Sequence, residues 1–216
     1  MVSGLNNLAG KKVVVGMSGG LDSSVAAALI KRAGAETIGV MLKLEKTGNR
    51  CCSLATEKRA RLVAEELKIP FYLLSAEKIF QEEVIDDFLA EYQAGRTPNP
   101  CVVCNKKIKF GFLLAQAQKI FGADYLSTGH YARTKKKRDG IHLYRGKDKK
   151  KDQSYFLWRL NQEQLAKIIF PVGDYTKNEV RQLAEKFNLP VTALAESQEV
   201  CFAPDGVKDF LRQKLT

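Results

Sequence analysis

The sequence predicts an α/β fold: a parallel sheet with helices on both faces, plus a β-hairpin and a small helical C-terminal segment. Three observations predict it. Short apolar runs, the first of them Val-rich, alternate with longer helix-like stretches as far as Thr128. A Gly/Ser turn joins the first run directly to an Ala-rich stretch. After His130 the pattern changes to period-two alternation and then to helical spacing. Alternating strands and helices imply a parallel sheet covered on both sides, with ligands expected outside the carboxyl ends of the strands.

Taken in order, Lys11 to Met17 (KKVVVGM) reads as a buried strand and Ser23 to Ala33 as the first helix. Thr37 to Leu42, Leu54 to Leu67 and Phe71 to Ser75 repeat the strand, helix, strand pattern, the last after Pro70. Ile79 to Tyr92 and Lys106 to Phe121 have helical spacing, and Asp124 to Thr128 reads as a further strand. Ala132 to Arg145 predicts a hairpin turning at Asp139-Gly140. From Asn161 onward the chain is expected to be helical, with Thr176 as N-cap and Glu179 completing a capping box. The final DFLRQKLT predicts a short amphipathic helix without an evident partner.

A chain of 216 residues, 45% hydrophobic and 27% charged, can bury one substantial core and a small appended lobe. The division expected is a main domain over 1–160 and a helical segment over 161–216. A surplus of 35 Lys and Arg over 24 Asp and Glu, net +11, favours a polyanionic partner, although a merely soluble basic protein has the same balance. The first ten residues lack the apolar core of a secretion signal, and no stretch reaches the ~18 apolar residues of a membrane span. The expectation is a cytoplasmic protein with no membrane partner. Five cysteines in such a chain argue for ligand or catalytic use of some of them over a disulfide scaffold.

Ser18-Gly19-Gly20-Leu21-Asp22-Ser23-Ser24 falls between the first strand and the first helix, where backbone N–H groups and the positive end of the helix dipole converge on an anion. The hydroxyls of Ser18, Ser23 and Ser24 add donors. The loop lacks the Gly-Lys-Ser/Thr ending of a Walker A motif and suits a pyrophosphate leaving group better than γ-phosphoryl transfer. An ordinary Gly/Ser turn is the plainer alternative. The SGGxDSS string resembles the PP-loop signature of the ATP pyrophosphatase superfamily, which implies ATP as cofactor and a Mg²⁺ ion held with the help of Asp22.

Cys101 and Cys104 lie in TPNPCVVCN, a string stiffened by two prolines, with Cys104 expected where a helix dipole lowers a thiol's pKa. Cys201 lies far away in SQEVCF, and spacing alone does not bring the two regions together. Five strings, GMSGGLDSS, GRTPNPCVVCNKKIKF, TGHYAR, KDQSYFL and SQEVCF, resemble in order and approximate spacing the tRNA-specific 2-thiouridylases, and the resemblance covers almost the whole chain. It implies ATP contacts at Gly16, Met17, Ser18, Gly19, Gly20, Leu21, Asp22 and Ser23, joined by Met41 and Gly129. It implies a target-base site at Asn99, Pro100 and Cys101, and tRNA contacts at His130, Lys151, Asp152 and Gln153. Cys104 matches the nucleophile and Cys201 the carrier of the incoming sulfur. The implied partners are tRNA and a sulfur donor, whether a sulfur-relay protein, a cysteine desulfurase or free sulfide.

Many relatives carry Asp where this sequence has Cys101. Cys101, Cys104 and Cys201 together offer three thiolates, enough for a [4Fe–4S] cluster with one open iron, so persulfide relay and cluster-bound sulfide both stay open. Typical relatives also continue into a central module and a C-terminal β-barrel that grips tRNA, whereas this sequence stops soon after Cys201, which reads as a naturally short form, a fragment or one half of a split enzyme. Two other functions remain in play: a different PP-loop adenylating ligase, and a non-catalytic module binding ATP and tRNA.

Cys51 and Cys52 read as loop or packing residues, and His142 as an exposed hairpin residue. The runs Lys135 to Arg138 and Lys147 to Lys151 are either a solvated hairpin surface or contacts to RNA phosphates.

Overall fold

A computed structural model describes residues 5, 8–44, 53–191 and 200–215. The expected Cys51 and Cys52 pair, and Ser197 to Glu199 of the SQEVCF string, lie outside them. Strand β1 (Lys12–Gly16) is central: Val13, Val14 and Val15 are fully buried, as a strand covered on both faces requires. Helix α1 (Leu21–Arg32) follows, with Asp22 in its first turn and Lys31 and Arg32 in its last, the charge order that suits the dipole. Then come β2 (Glu36–Lys43), α2 (Leu54–Glu66) capped by the Ser53 side chain, and β3 (Phe71–Ser75).

The long crossover out of β3 contains α3 (Glu77–Phe80), a π-helical turn Gln81–Ile85 and α4 (Asp86–Gln93). It continues through α5 (Pro100–Cys104), a π-helical stretch Asn105–Phe112 and α6 (Leu113–Phe121), which ends on the left-handed Gly122 at φ 63°. The expected start of this helix at Lys106 therefore moves to Pro100. Proline fills the first helical position, and the Asn99 side chain accepts from the Cys101 and Val102 N–H groups.

Strand β4 (Tyr125–Thr128) returns on the far side of β1. The hairpin pairs β5 (Ala132–Lys137) with β6 (Gly140–Arg145), and Lys137 opposite Gly140 makes Arg138-Asp139 the turn, one residue earlier than expected. Beyond it, the reading of continuous helix is corrected. Helix α7 (Gln162–Leu165) is a single turn, and β7 (Ile168–Ile169) pairs in parallel with Leu126 and Ser127 of β4. The expected capping box stands at the next helix, α8 (Lys177–Lys186), where Thr176 and Glu179 exchange both bonds.

The sheet order is β3-β2-β1-β4-β7, all parallel. Strands run outward from β1 in both directions, so the switch point lies between β1 and β4. One apolar cluster packs α1, α2 and α8 on one face, and a second packs α6 and the hairpin side on the other. A third stands beside Leu42 and Leu44 at the carboxyl end of β2, built from Phe80, Phe88, Cys104, Ile108 and Phe202. The terminal helix α9 (Val207–Leu215) has a partner after all: Phe210 lies 6.3 Å from the Phe88 ring of α4 and 5.1 Å from Phe202.

Candidate active site

The loop after β1 sits at the switch point. Its conformation is stabilised by its own serines: the Ser18 N–H donates to Ser23 Oγ at 3.1 Å, and the Ser23 and Ser24 hydroxyls donate to the Gly20 carbonyl at 3.1 and 2.8 Å. Gly20 caps α1 with no side-chain acceptor, which leaves the first turn's N–H groups to an anion. Gly19 has φ 69°, and a Cβ there would lie 2.2 Å from the Thr56 carbonyl oxygen, so only glycine fits. Arg59 reaches from α2 to the same residue, its Nε donating to the Gly19 carbonyl at 3.2 Å.

Two residues that the sequence reading missed define the far wall. The Lys177 ammonium binds both Asp22 carboxylate oxygens at 2.8 Å, and the Tyr131 hydroxyl donates to Asp22 Oδ1 at 2.7 Å. Lys177 is the first residue of α8, and its N–H donates to Asp148 Oδ2, which holds the Asp148 carboxyl below its ordinary range. A buried lysine at a helix N-terminus stands against the dipole. Here the carboxylate it grips offsets that cost. The only sequence signals were the capping box, which places residue 177 at the helix start, and the presence of Tyr131 inside TGHYAR.

The residues matched to ATP contacts come together at the carboxyl ends of β1, β2 and β4, although in different roles. Ser18 to Ser24 form the loop. The Met17 and Met41 side chains are buried in the core cluster under α1, and Leu21 packs against it. Gly16 is held between Val40 and Thr128 of the flanking strands. Gly129 brings β4 close to the start of α1, since a Cβ there would lie 2.6 Å from the Ser23 nitrogen.

Among the residues matched to tRNA contacts, Asp152 accepts from the Gly146 N–H and from both donors of Ser154. Gln153 Oε1 accepts from the Tyr131 N–H, and the Gln153 N–H donates to the Tyr131 carbonyl. KDQ thus braces Tyr131, and through it Asp22. His130 Nδ1 pairs with Thr128 Oγ1 at 2.8 Å between the Phe110 and Phe170 rings. Burial, reinforced by Lys109, pushes its pKa well below the ordinary 6.5.

Cys101 is exposed, Cys104 buried and Cys201 half-buried. Cys104 belongs to the third apolar cluster, and Cys201 packs against it, so segments about a hundred residues apart in sequence border one apolar patch. Height above the sheet follows from the helix: a Cβ on Gly16 would lie 3.4 Å from Leu113. Cys104 precedes Leu113 by the π-helical stretch Asn105–Phe112, which carries it beyond that contact along the helix. The cluster that Cys104 joins and Cys201 borders stands beside Leu42 and Leu44, at the carboxyl end of β2. Among the described residues no three His, Cys, Asp or Glu side chains form a metal-holding group.

A five-stranded parallel sheet with a glycine-serine loop at its switch point defines an α/β nucleotide-binding domain of the PP-loop class. The chain belongs to the family described as the tRNA methyl transferase HUP domain, whose model matches residues 11–205.

It is 53% identical over 214 residues to the tRNA-specific 2-thiouridylase MnmA of Geobacter metallireducens, covering 94% of this chain and 57% of that protein. Identity to the protein of the same name from Thermus thermophilus is 47%, with 95% and 58% covered. This chain thus spans somewhat over half the length of these curated relatives. Among solved structures, the U34-tRNA thiolase NcsA from Methanococcus maripaludis with its [4Fe-4S] cluster superposes with a TM-score of 0.55 at 22% identity, covering 97% of this chain and 67% of that one. NMN synthetase from Francisella tularensis superposes at 0.54 and 19%, with 95% and 76% covered. At these identities the likeness is one of fold.

Proposed function

We propose that this chain is the catalytic part of an ATP-dependent tRNA sulfurtransferase that replaces the C2 oxygen of a wobble uridine with sulfur, working in the cytoplasm. The reading is supported by the glycine-serine loop at the β1/β4 switch point together with Cys104 and Cys201 bordering one apolar cluster beside the carboxyl end of β2. The relatives named 2-thiouridylase support the substrate class. No helix among the described residues is long and apolar enough to cross a membrane.

ATP lies with its phosphates on the first turn of α1, whose N–H groups bind anionic oxygens. With Lys177 turned from its carboxylate toward the phosphates, Asp22 would hold a Mg²⁺ ion, which would supply charge neutralisation for the departing pyrophosphate. The uridine C2 oxygen attacks the α-phosphorus, and the bond to pyrophosphate breaks. The terminal sulfur of a Cys201 persulfide then attacks C2, and AMP departs with the former C2 oxygen. Finally the Cys104 thiolate attacks the Cys201 sulfur, breaking the bond to the transferred sulfur and leaving a thiocarbonyl and a Cys104–Cys201 disulfide. An external thiol reduces that disulfide, and a separate sulfur donor reloads Cys201.

The test separates the two half-reactions. With tRNA and ATP, Cys104→Ser and Cys201→Ser should still release pyrophosphate while forming no 2-thiouridine. Thiolated tRNA from either variant contradicts the relay, and a brown, iron-containing protein after anaerobic purification favours the cluster route instead.

A further inference from the structure

The 3₁₀ turn Ser154–Leu157 carries an aromatic pair that neither the loop nor the cysteines use. Tyr155 is 64% and Trp158 65% exposed. With three residues per turn, positions i and i+3 eclipse, and Trp158 continues the helical backbone at φ −61°. Both rings therefore face the same side. The turn beneath them is fixed: Leu157 is buried in the second apolar cluster, and the Phe156 carbonyl accepts from Asn105 Nδ2 at 3.2 Å. Asn105 directly follows Cys104 and lies one helical turn from the exposed Cys101, so the pair adjoins the cysteine helix. The Arg159 guanidinium lies 6.0 Å from the Trp158 ring centroid, and the exposed Lys149 and Lys150 precede the turn by a few residues in the chain.

We propose that Tyr155 and Trp158 are a stacking platform for unpaired RNA bases flanking the target nucleotide, with Lys149, Lys150 and Arg159 meeting the adjoining phosphates. This rests on the tRNA reading above and adds to it the surface that holds the loop open. Charge selects the occupant: a ring beside a guanidinium, just after exposed lysines in a chain of net charge +11, suits a polyanion with accessible π-faces. Paired bases hide those faces in the helix stack, so the surface discriminates single-stranded from double-stranded RNA.

Trp158 is the sole tryptophan of the chain, so intrinsic fluorescence reads this surface alone. The probes are an RNA stem-loop with uridine in its unpaired loop and a blunt RNA duplex of equal charge. The stem-loop should quench Trp158 saturably and the duplex should not. By anisotropy of labelled stem-loop, Trp158→Ala should bind about ten-fold more weakly, the loss of roughly one stacked base, and Trp158→Phe should recover most of the loss. Both variants should unfold at the wild-type temperature, because the side chain is exposed. Wild-type affinity in Trp158→Ala, or equal quenching by the duplex, overturns the platform while leaving the tRNA reading standing. Absence of stem-loop binding by the wild-type chain overturns both.

Discussion

Asp22 is held by a lysine 155 positions away in sequence. If the Lys177 ammonium transfers from that carboxylate to ATP phosphates, its loss removes a charge-assisted bond worth roughly 1.5–3 kcal/mol. Lys177→Met should then raise the KM for ATP by about ten-fold or more, read in a pyrophosphate-release assay, while leaving tRNA affinity near wild type. No pattern in the sequence joins positions 22 and 177, which is why the loop was legible and its counter-charge was not. Gly19 shows the reverse case, since SGGxDSS already demanded glycine and the structure adds the reason. Gly19→Ala should cost about 1–2 kcal/mol from the left-handed backbone alone, measured by urea unfolding, and more from the contact with Thr56.

His130 gives a pH dependence with a definite sign. Its folded pKa lies well below 6.5, so the unfolded chain binds the proton more readily. Stability should be full above pH 6.5 and fall as pH drops below it. Glu179 acts lower: Lys147 and the Thr176 N–H hold it at about 2 against an ordinary 4.5, so its contribution is lost only as pH falls below 4.5. The unfolding temperature at pH 5.5 should be lower than at pH 7.5, with a smaller drop in His130→Gln. An equal drop in that variant assigns the effect elsewhere.

At the scale of elements, β1 to β4 were readable because each is a run of apolar residues bounded by turn residues. Strand β7 was not, because two isoleucines have no measurable period and only pairing with Leu126 and Ser127 makes them a strand. The cysteine helix was placed six residues late because TPNP reads as a loop, although Asn followed by Pro is also how a helix begins. That shift puts Cys101 in the first turn, nearest the dipole, and Cys104 one turn deeper among apolar residues. The aromatic cluster that contains Cys104 and borders Cys201 is also what anchors α9. Phe88→Ala, at a position 1% exposed, should cost about 3–5 kcal/mol in chemical denaturation. It should also disturb the reactivity of Cys201, because Phe202 packs edge-on against the Phe88 ring at 5.2 Å.

For the whole molecule, the sheet brings a nucleotide loop from the start of the chain, a thiol from its middle and a second thiol from residue 201 to one end. The sequence motifs named these parts, and the parallel crossovers explain why the loop and the cluster bordered by Cys104 and Cys201 both lie at carboxyl ends of strands, since the five strands of the main sheet end on the same side. The basic surplus then acts at long range. Stem-loop affinity should fall steeply between 50 and 200 mM salt, by an amount set by the phosphates contacted, and charge reversal over Lys135 to Arg138 should flatten that slope.

If ATP activates the oxygen that sulfur replaces, that oxygen leaves in AMP. The direct measurement is to supply tRNA labelled with heavy oxygen at C2 of the wobble uridine and to weigh the AMP released. One heavy oxygen should appear in the AMP phosphate for each thiouridine formed; unlabelled AMP alongside thiolated tRNA rules out activation through that oxygen.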